Sequence, residues 1–152
     1  MGQQACFNDN PIFEVTRRDI GNIKKEAKNS STGRYRICMH QSTDDTVQEM
    51  LIAMTKESRL IPHRRINKPR TYAIVEGEVH VVLFSESGEE LYTVNLNENN
   101  VTYVRISIDH YILPIVKSDM AVLHEIIEGP FEGNDQYATW FNDELASKYY
   151  LS

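Results

Sequence analysis

Cysteine is scarce in this sequence: the 152 residues hold only Cys6 and Cys38, with no CxxC and no metal-finger spacing. A disulfide framework and a zinc finger are therefore not expected. No run approaches the ~18 apolar residues of a membrane-spanning helix. Residues Met1 to Asn10 are polar and lack the apolar centre of a signal peptide. These absences point to a cytoplasmic protein with reduced thiols. Basic residues are also short in number, with 16 Lys and Arg against 22 Asp and Glu and a formal net charge of −6. Lys24-Lys25 and Arg64-Arg65 are isolated pairs. Nucleic acid and anionic membranes select a basic face, so neither is an expected partner. The chain has no internal repeat, linker or low-complexity tract, and its length suits one domain.

Helical and extended periodicities alternate along the chain. From Thr16 to Lys28, Ile20, Ile23 and Ala27 recur at helical spacing, and Thr16 with Asp19 forms a capping-box pattern. The centre is a series of short segments rich in β-branched and aromatic residues. These are Arg34–His40, Val47–Met54, Ser58–Ile61, Thr71–Val75, Glu78–Phe84, Glu90–Leu96, Val101–Ile106, Tyr111–Val116 and Ala121–Ile127. Turn residues such as Glu76-Gly77 and Asn97-Glu-Asn-Asn100 separate many of them. Val47–Met54 fits helix or strand equally. So many short strands predict a sandwich, jelly roll or small barrel. Beyond Gly129-Pro130, the residues Tyr137, Trp140, Phe141, Leu145 and Tyr149 fall on one face of a helix, expected to cover a barrel edge. The organisation expected is an N-terminal extension with a short helix (1–33), a β-barrel (34–131) and a C-terminal helix packed on it (132–152), together one domain.

Residues that carry chemistry are densest from Pro62 to Tyr72, with His63, Arg64, Arg65 and Arg70, and His110 begins a later strand. In a strand His63 and Arg65 share a face while Arg64 points the opposite way. Here the sequence resembles the cupins, and within them the WbuC family. The cupin frame is a His-x-His pair, then Glu, then Gly, with a further His from a later strand. It corresponds here to His63-x-Arg65, Arg70, Gly77 and His110. The likeness to WbuC proteins extends to His40 with Asp44-Asp45-Thr46-Val47-Gln48, Met50-Leu51-Ile52-Ala53, Val81-Val82-Leu83-Phe84, Gly129-Pro130-Phe131 and Ala138-Thr139-Trp140. The resemblance implies an all-β cupin or jelly-roll barrel with a helix at each end. It also implies a link to bacterial surface-polysaccharide and O-antigen synthesis.

Two departures from the frame bear on cofactors. Arg65 and Arg70 stand where the frame has His and Glu, and a guanidinium offers five N–H donors and no lone pair. A divalent metal is therefore disfavoured, with His63 and His110 its only ligands if one binds. An arginine in such a pocket can instead hold a carboxylate or phosphate bidentately. His63, His110 and Tyr72 are the candidate acid–base groups, and Arg65, Arg70 and Tyr103 the candidate ligand contacts. Of His124-Glu125 only one can face the pocket, and His80 should lie on the face opposite Val79, Val81 and Leu83. The expected ligand is an anionic sugar or nucleotide sugar. Three functions compete: a metal-independent isomerase or epimerase, a non-catalytic binding or sensing module, and a metalloprotein with an unusual ligand set. A homodimer is the expected assembly.

Overall fold

The first helix forms where its caps allow. The Thr16 side chain accepts from the Asp19 N–H at 3.2 Å, and Asp19 accepts from the Thr16 N–H at 2.7 Å. This closed capping box starts α1 (Arg17–Asn29), whose Ile20, Ile23 and Ala27 are buried. The structure is a computed structural model describing residues 5–151. Its strands are β1 (Ala5–Phe7), β2 (Arg34–Cys38), β3 (Val47–Thr55), β4 (His63–Arg64), β5 (Arg70–Glu76), β6 (Glu78–Phe84), β7 (Glu90–Asn97), β8 (Tyr103–Ile106), β9 (Tyr111–Val116), β10 (Met120–Glu128) and β11 (Gln136–Tyr137). A second helix, α2 (Asp143–Tyr150), ends the fold.

These strands form two sheets, in the orders β1-β2-β3-β10-β5-β8 and β11-β4-β9-β6-β7. Period-2 alternation gives each sheet two apolar faces. The inner faces meet in the barrel core through Met50, Ile52, Tyr72, Val79, Val81, Leu83, Ile112 and Leu123. On the outside of the first sheet, Ile37, Leu51, Ala53 and Val122 receive Ile20, Ile23 and Ala27 of α1. Burial of the two isoleucines contributes on the order of 2 kcal/mol each. On the outside of the second sheet, Val82, Phe84, Leu113 and Ile115 lie under Trp140, Phe141, Tyr149 and Tyr150. The architecture is the expected all-β jelly-roll barrel with helices only near its ends.

Several local expectations change. Val47–Met54 is a strand, because β3 is hydrogen-bonded on both sides, to β2 and β10. Ser58–Ile61 is not a strand: the backbone N–H and carbonyl of Leu60 are taken by the Tyr150 hydroxyl, at 2.8 and 2.9 Å, in place of a ladder. The helix expected from Tyr137 onward begins only at Asp143, where Asn142 caps it by accepting from the Leu145 N–H at 3.0 Å. Tyr137 is instead in β11, paired opposite His63. The short strand β1, parallel to β2, carries no sequence signal of its own.

Gly77 joins β5 to β6 with φ 84°. A Cβ there would collide with the Met120 carbonyl oxygen and approach the Ser118 hydroxyl at 2.6 Å. Gly77→Ala is therefore expected to destabilise the protein by about 1–3 kcal/mol. The measurement is the urea midpoint, and an unchanged midpoint would mean that the turn relaxes freely.

Candidate functional site

The barrel encloses a cavity of about 530 Å³, within the size range of small-molecule pockets. Strand register decides what faces it. Arg34, Arg36 and Cys38 of β2 face inward because Tyr35 and Ile37 pack toward α1. Along β10, Leu123, Glu125 and Ile127 face inward. The ambiguity at His124-Glu125 is resolved by this parity: Glu125 lines the cavity, and His124 pairs outside with Glu49 at 2.7 Å. Glu125 lies opposite Tyr72 in the β10–β5 ladder, and Ile127 opposite Arg70. His63 and Tyr137, from β4 and β11, close the facing wall. Phe7, Phe131 and Tyr137 line the cavity while keeping large exposed surfaces, so its rim is aromatic.

Arg70 organises the inner end. Its Nη1 donates to His63 Nε2 at 3.0 Å and to the Tyr72 hydroxyl at 3.3 Å. Its Nε lies 3.5 Å from Glu125 Oε1. Burial opposes the guanidinium charge, but the hydrogen bond to Tyr72 and the Glu125 and Asp135 carboxylates outweigh that penalty and hold Arg70 charged. Burial also pushes the Tyr72 hydroxyl well above its ordinary range, against the opposing pull of Arg70, so it stays protonated. His63 donates from Nδ1 to the Ile61 carbonyl at 3.1 Å, which leaves Nε2 as the acceptor for Arg70. Burial, and then the Arg70 charge, lower its pKa from 6.5, so the neutral form is favoured.

This donor set does not fit a divalent cation. The one outward-facing lone pair of His63 already accepts from a permanent cation. Among the described residues no three His, Cys, Asp or Glu side chains gather as a ligand group.

Of the candidates named from the sequence, His63, Arg70 and Tyr72 are brought together at the cavity. His110 and Arg65 are not part of it. They line a separate hollow of about 20 Å³ with Arg64 and Lys68, room for little more than one water. Arg65 is buried, 3.3 Å from Asp135 and donating to the Glu128 carbonyl at 3.3 Å. Tyr103, on edge strand β8, is 71% exposed and does not line the cavity. His80 lies on the outer face of β6, bonded to Glu78 at 3.1 Å. Arg34, Arg36, Asp135 and Tyr137 were not singled out from sequence. Only the alternation of Arg34-Tyr35-Arg36-Ile37 could have revealed the two arginines, by assigning Tyr35 and Ile37 to the helix-covered face.

A two-sheet barrel with a ligand-sized cavity between its sheets places the protein among the cupin-fold proteins. Residues 15–96 match the family model described as Domain of unknown function (DUF6016), and the chain belongs to that family. A search of curated proteins finds no match. Among solved structures, protein SO0799 from Shewanella oneidensis is similar at 11% identity and TM-score 0.60, over 80% of this chain and 82% of that one. CapF from Staphylococcus aureus, a capsular polysaccharide assembling protein, is 12% identical with TM-score 0.56, over 68% of this chain and 31% of that one. An oxalate oxidase in complex with the substrate analogue glycolate is 12% identical with TM-score 0.55, over 76% and 61%. At such identities the likeness is one of fold. No helix among the described residues is long and apolar enough to cross a membrane.

The buried cluster sets two expectations. Glu125→Leu leaves Arg70 charged and short of its nearest carboxylate, with an expected cost of about 3–5 kcal/mol. Arg70→Met combined with Glu125→Leu should recover part of that loss in urea unfolding. The second expectation concerns pH. An unfolded His63 takes up a proton near pH 6.5, the folded one only at lower pH. Its contribution to stability is thus full above about pH 6.5 and lost as pH falls through the lower folded value. His63→Gln does not titrate, so its stability should fall less steeply than the wild type's on acidification. Parallel pH profiles of the urea midpoint would assign the acid sensitivity to another group.

Proposed function

We propose that the protein is a binding module for an anionic small molecule, an anionic sugar or nucleotide sugar, held in the barrel cavity without a metal. The observation that carries this reading is the charge balance of the cavity wall. Arg34, Arg36 and Arg70 line it together with Glu125 and Asp135, and Arg65 pairs with Asp135 from behind. Three guanidiniums thus line the cavity with two carboxylates, one of which also answers Arg65, within a protein of net charge −6. Such a concentration of one sign draws an anion inward. The aromatic rim of Phe7, Phe131 and Tyr137 suits the apolar face of a ring. The WbuC resemblance, together with a fold shared with a capsular polysaccharide assembling protein, supports surface-polysaccharide metabolism as the setting.

Binding is favoured over catalysis because both histidines that line the cavity have ring nitrogens already engaged, His63 Nε2 accepting from Arg70 and His40 Nδ1 from the Glu49 N–H. A metal-independent isomerase or epimerase is the second reading. It is carried by neutral His63 and protonated Tyr72, which border the same cavity. For proton abstraction a substrate anion must first draw Arg70 away from His63 Nε2.

Anionic sugars and nucleotide sugars are expected to raise the melting temperature more than neutral sugars do. The purified protein should carry only substoichiometric divalent metal in elemental analysis. Solvent deuterium entering a sugar carbon on prolonged incubation would establish the isomerase reading instead. One tightly held equivalent of metal would overturn the metal-independent one.

A further inference from the structure

The two arginines of β2 occupy a position that the fold does not neutralise. Residues 34 and 36 share the inner face of the strand, so their Cα atoms are roughly 7 Å apart. Arg36 contributes Nη1 to Met50 Sδ at 3.7 Å and, among the described residues, has no carboxylate within ion-pair distance. Arg34 is held by neutral oxygens, donating to the Ser58 hydroxyl at 3.3 Å and the Arg59 carbonyl at 3.0 Å. The carboxylates of the cavity are committed elsewhere, Glu125 to Arg70 and Asp135 to Arg65. Several cations on the outside do find acids, including Lys24 with Glu76 at 2.7 Å and Lys68 with Glu132 at 3.9 Å.

Packing two like charges side by side in a half-buried wall is unfavourable unless an anion joins them. Burial, and after it the neighbouring Arg36 charge, lower the pKa of Arg34. The surroundings specify the rest of the ligand. Arg36 lies opposite Ile52, which lies opposite Leu123, so the floor beside the cations is apolar. Beyond it stand the Tyr72 hydroxyl, His63 and the rim ring of Tyr137.

We propose that Arg34 and Arg36 form the anion-recognition end of the cavity and take a phosphoryl group of the ligand, leaving its ring to extend toward His63 and Tyr137. Two forked guanidiniums offer donors to several oxygens at once and match a dianionic phosphoryl group better than a single carboxylate. Arg70 and Arg65, whose charges are already answered, are then structural. This assignment rests on the binding reading above and names the residues and the ligand chemistry within it.

The test is calorimetric titration of the full chain with inorganic pyrophosphate and with glucose 1-phosphate, at constant ionic strength, with glucose and glucuronate as comparators. Both phosphorylated probes are expected to bind the wild type, and glucose is not. Arg36→Met and Arg34→Met should each weaken binding by about tenfold or more. Arg36→Lys, which keeps the charge and loses the fork, should fall between. Arg105→Met, at an exposed position outside the cavity, should bind as the wild type does. Because Arg36→Met also removes the like-charge contact, its ligand-free melting temperature should not drop. Should it fail to fold, Arg36→Lys decides alone. Wild-type binding of phosphorylated probes that is unchanged in the Arg34 and Arg36 variants would overturn the assignment and leave the binding reading standing. Binding of glucuronate alone would overturn the phosphoryl specificity while leaving an anion pocket. No response to any anion, nucleotide sugars included, would remove the binding reading and this assignment together.

Discussion

A charged guanidinium inside a β-barrel must be answered by its surroundings, and Arg70 is that constraint here. It cannot shed its charge at physiological pH, and it lies 6% exposed between the two sheets. Glu125 supplies the counter-charge, while Tyr72 and His63 accept its remaining hydrogen bonds. Each of those partners comes from a different strand or a different register position. The alignment of β5, β10 and β4 is therefore tied to one side chain as well as to apolar packing. The protonated state of Tyr72 and the neutral form of His63 follow from the same burial.

That arrangement also shapes what the cavity can bind. With Arg70 answered internally, the free positive charge shifts to β2, where Arg34 and Arg36 have no acid within ion-pair distance among the described residues. An acidic protein thus presents a locally cationic cavity wall, the feature on which the proposed anion binding rests. The barrel supplies the cavity in a way common to its fold, and fold alone does not select a reaction. At the inner end of this cavity a guanidinium, Arg70, stands at the position that the cupin resemblance assigns to a lone-pair donor.

Much of the architecture was legible from residue order. Thr16 and Asp19 marked the start of α1, the period-2 segments marked the principal strands, and Gly77 marked the tight turn between β5 and β6. Those features are local, set by caps, alternation and turn chemistry within a few residues. The C-terminal aromatic stripe misled, because the spacing from Tyr137 to Tyr149 satisfies a helix while Tyr137 and Gln136 pair with β4 instead. The likeness of Arg65 and His110 to a cupin frame placed them by offset alone. In the folded chain both turn into a neighbouring hollow.

By itself the sequence determined the all-β class, the terminal helices, the scarcity of metal-ligating side chains at the frame positions and the neighbourhood of His63, Arg70 and Tyr72. Those properties depend on residue type and short-range spacing. Only the tertiary structure decided which arginines face the cavity, that Glu125 rather than His124 points inward, and that Arg70 occupies the lone pair of His63. The reason is parity and pairing. One strand position turns a side chain from solvent to lumen, and which acid answers which cation depends on strands dozens of residues apart.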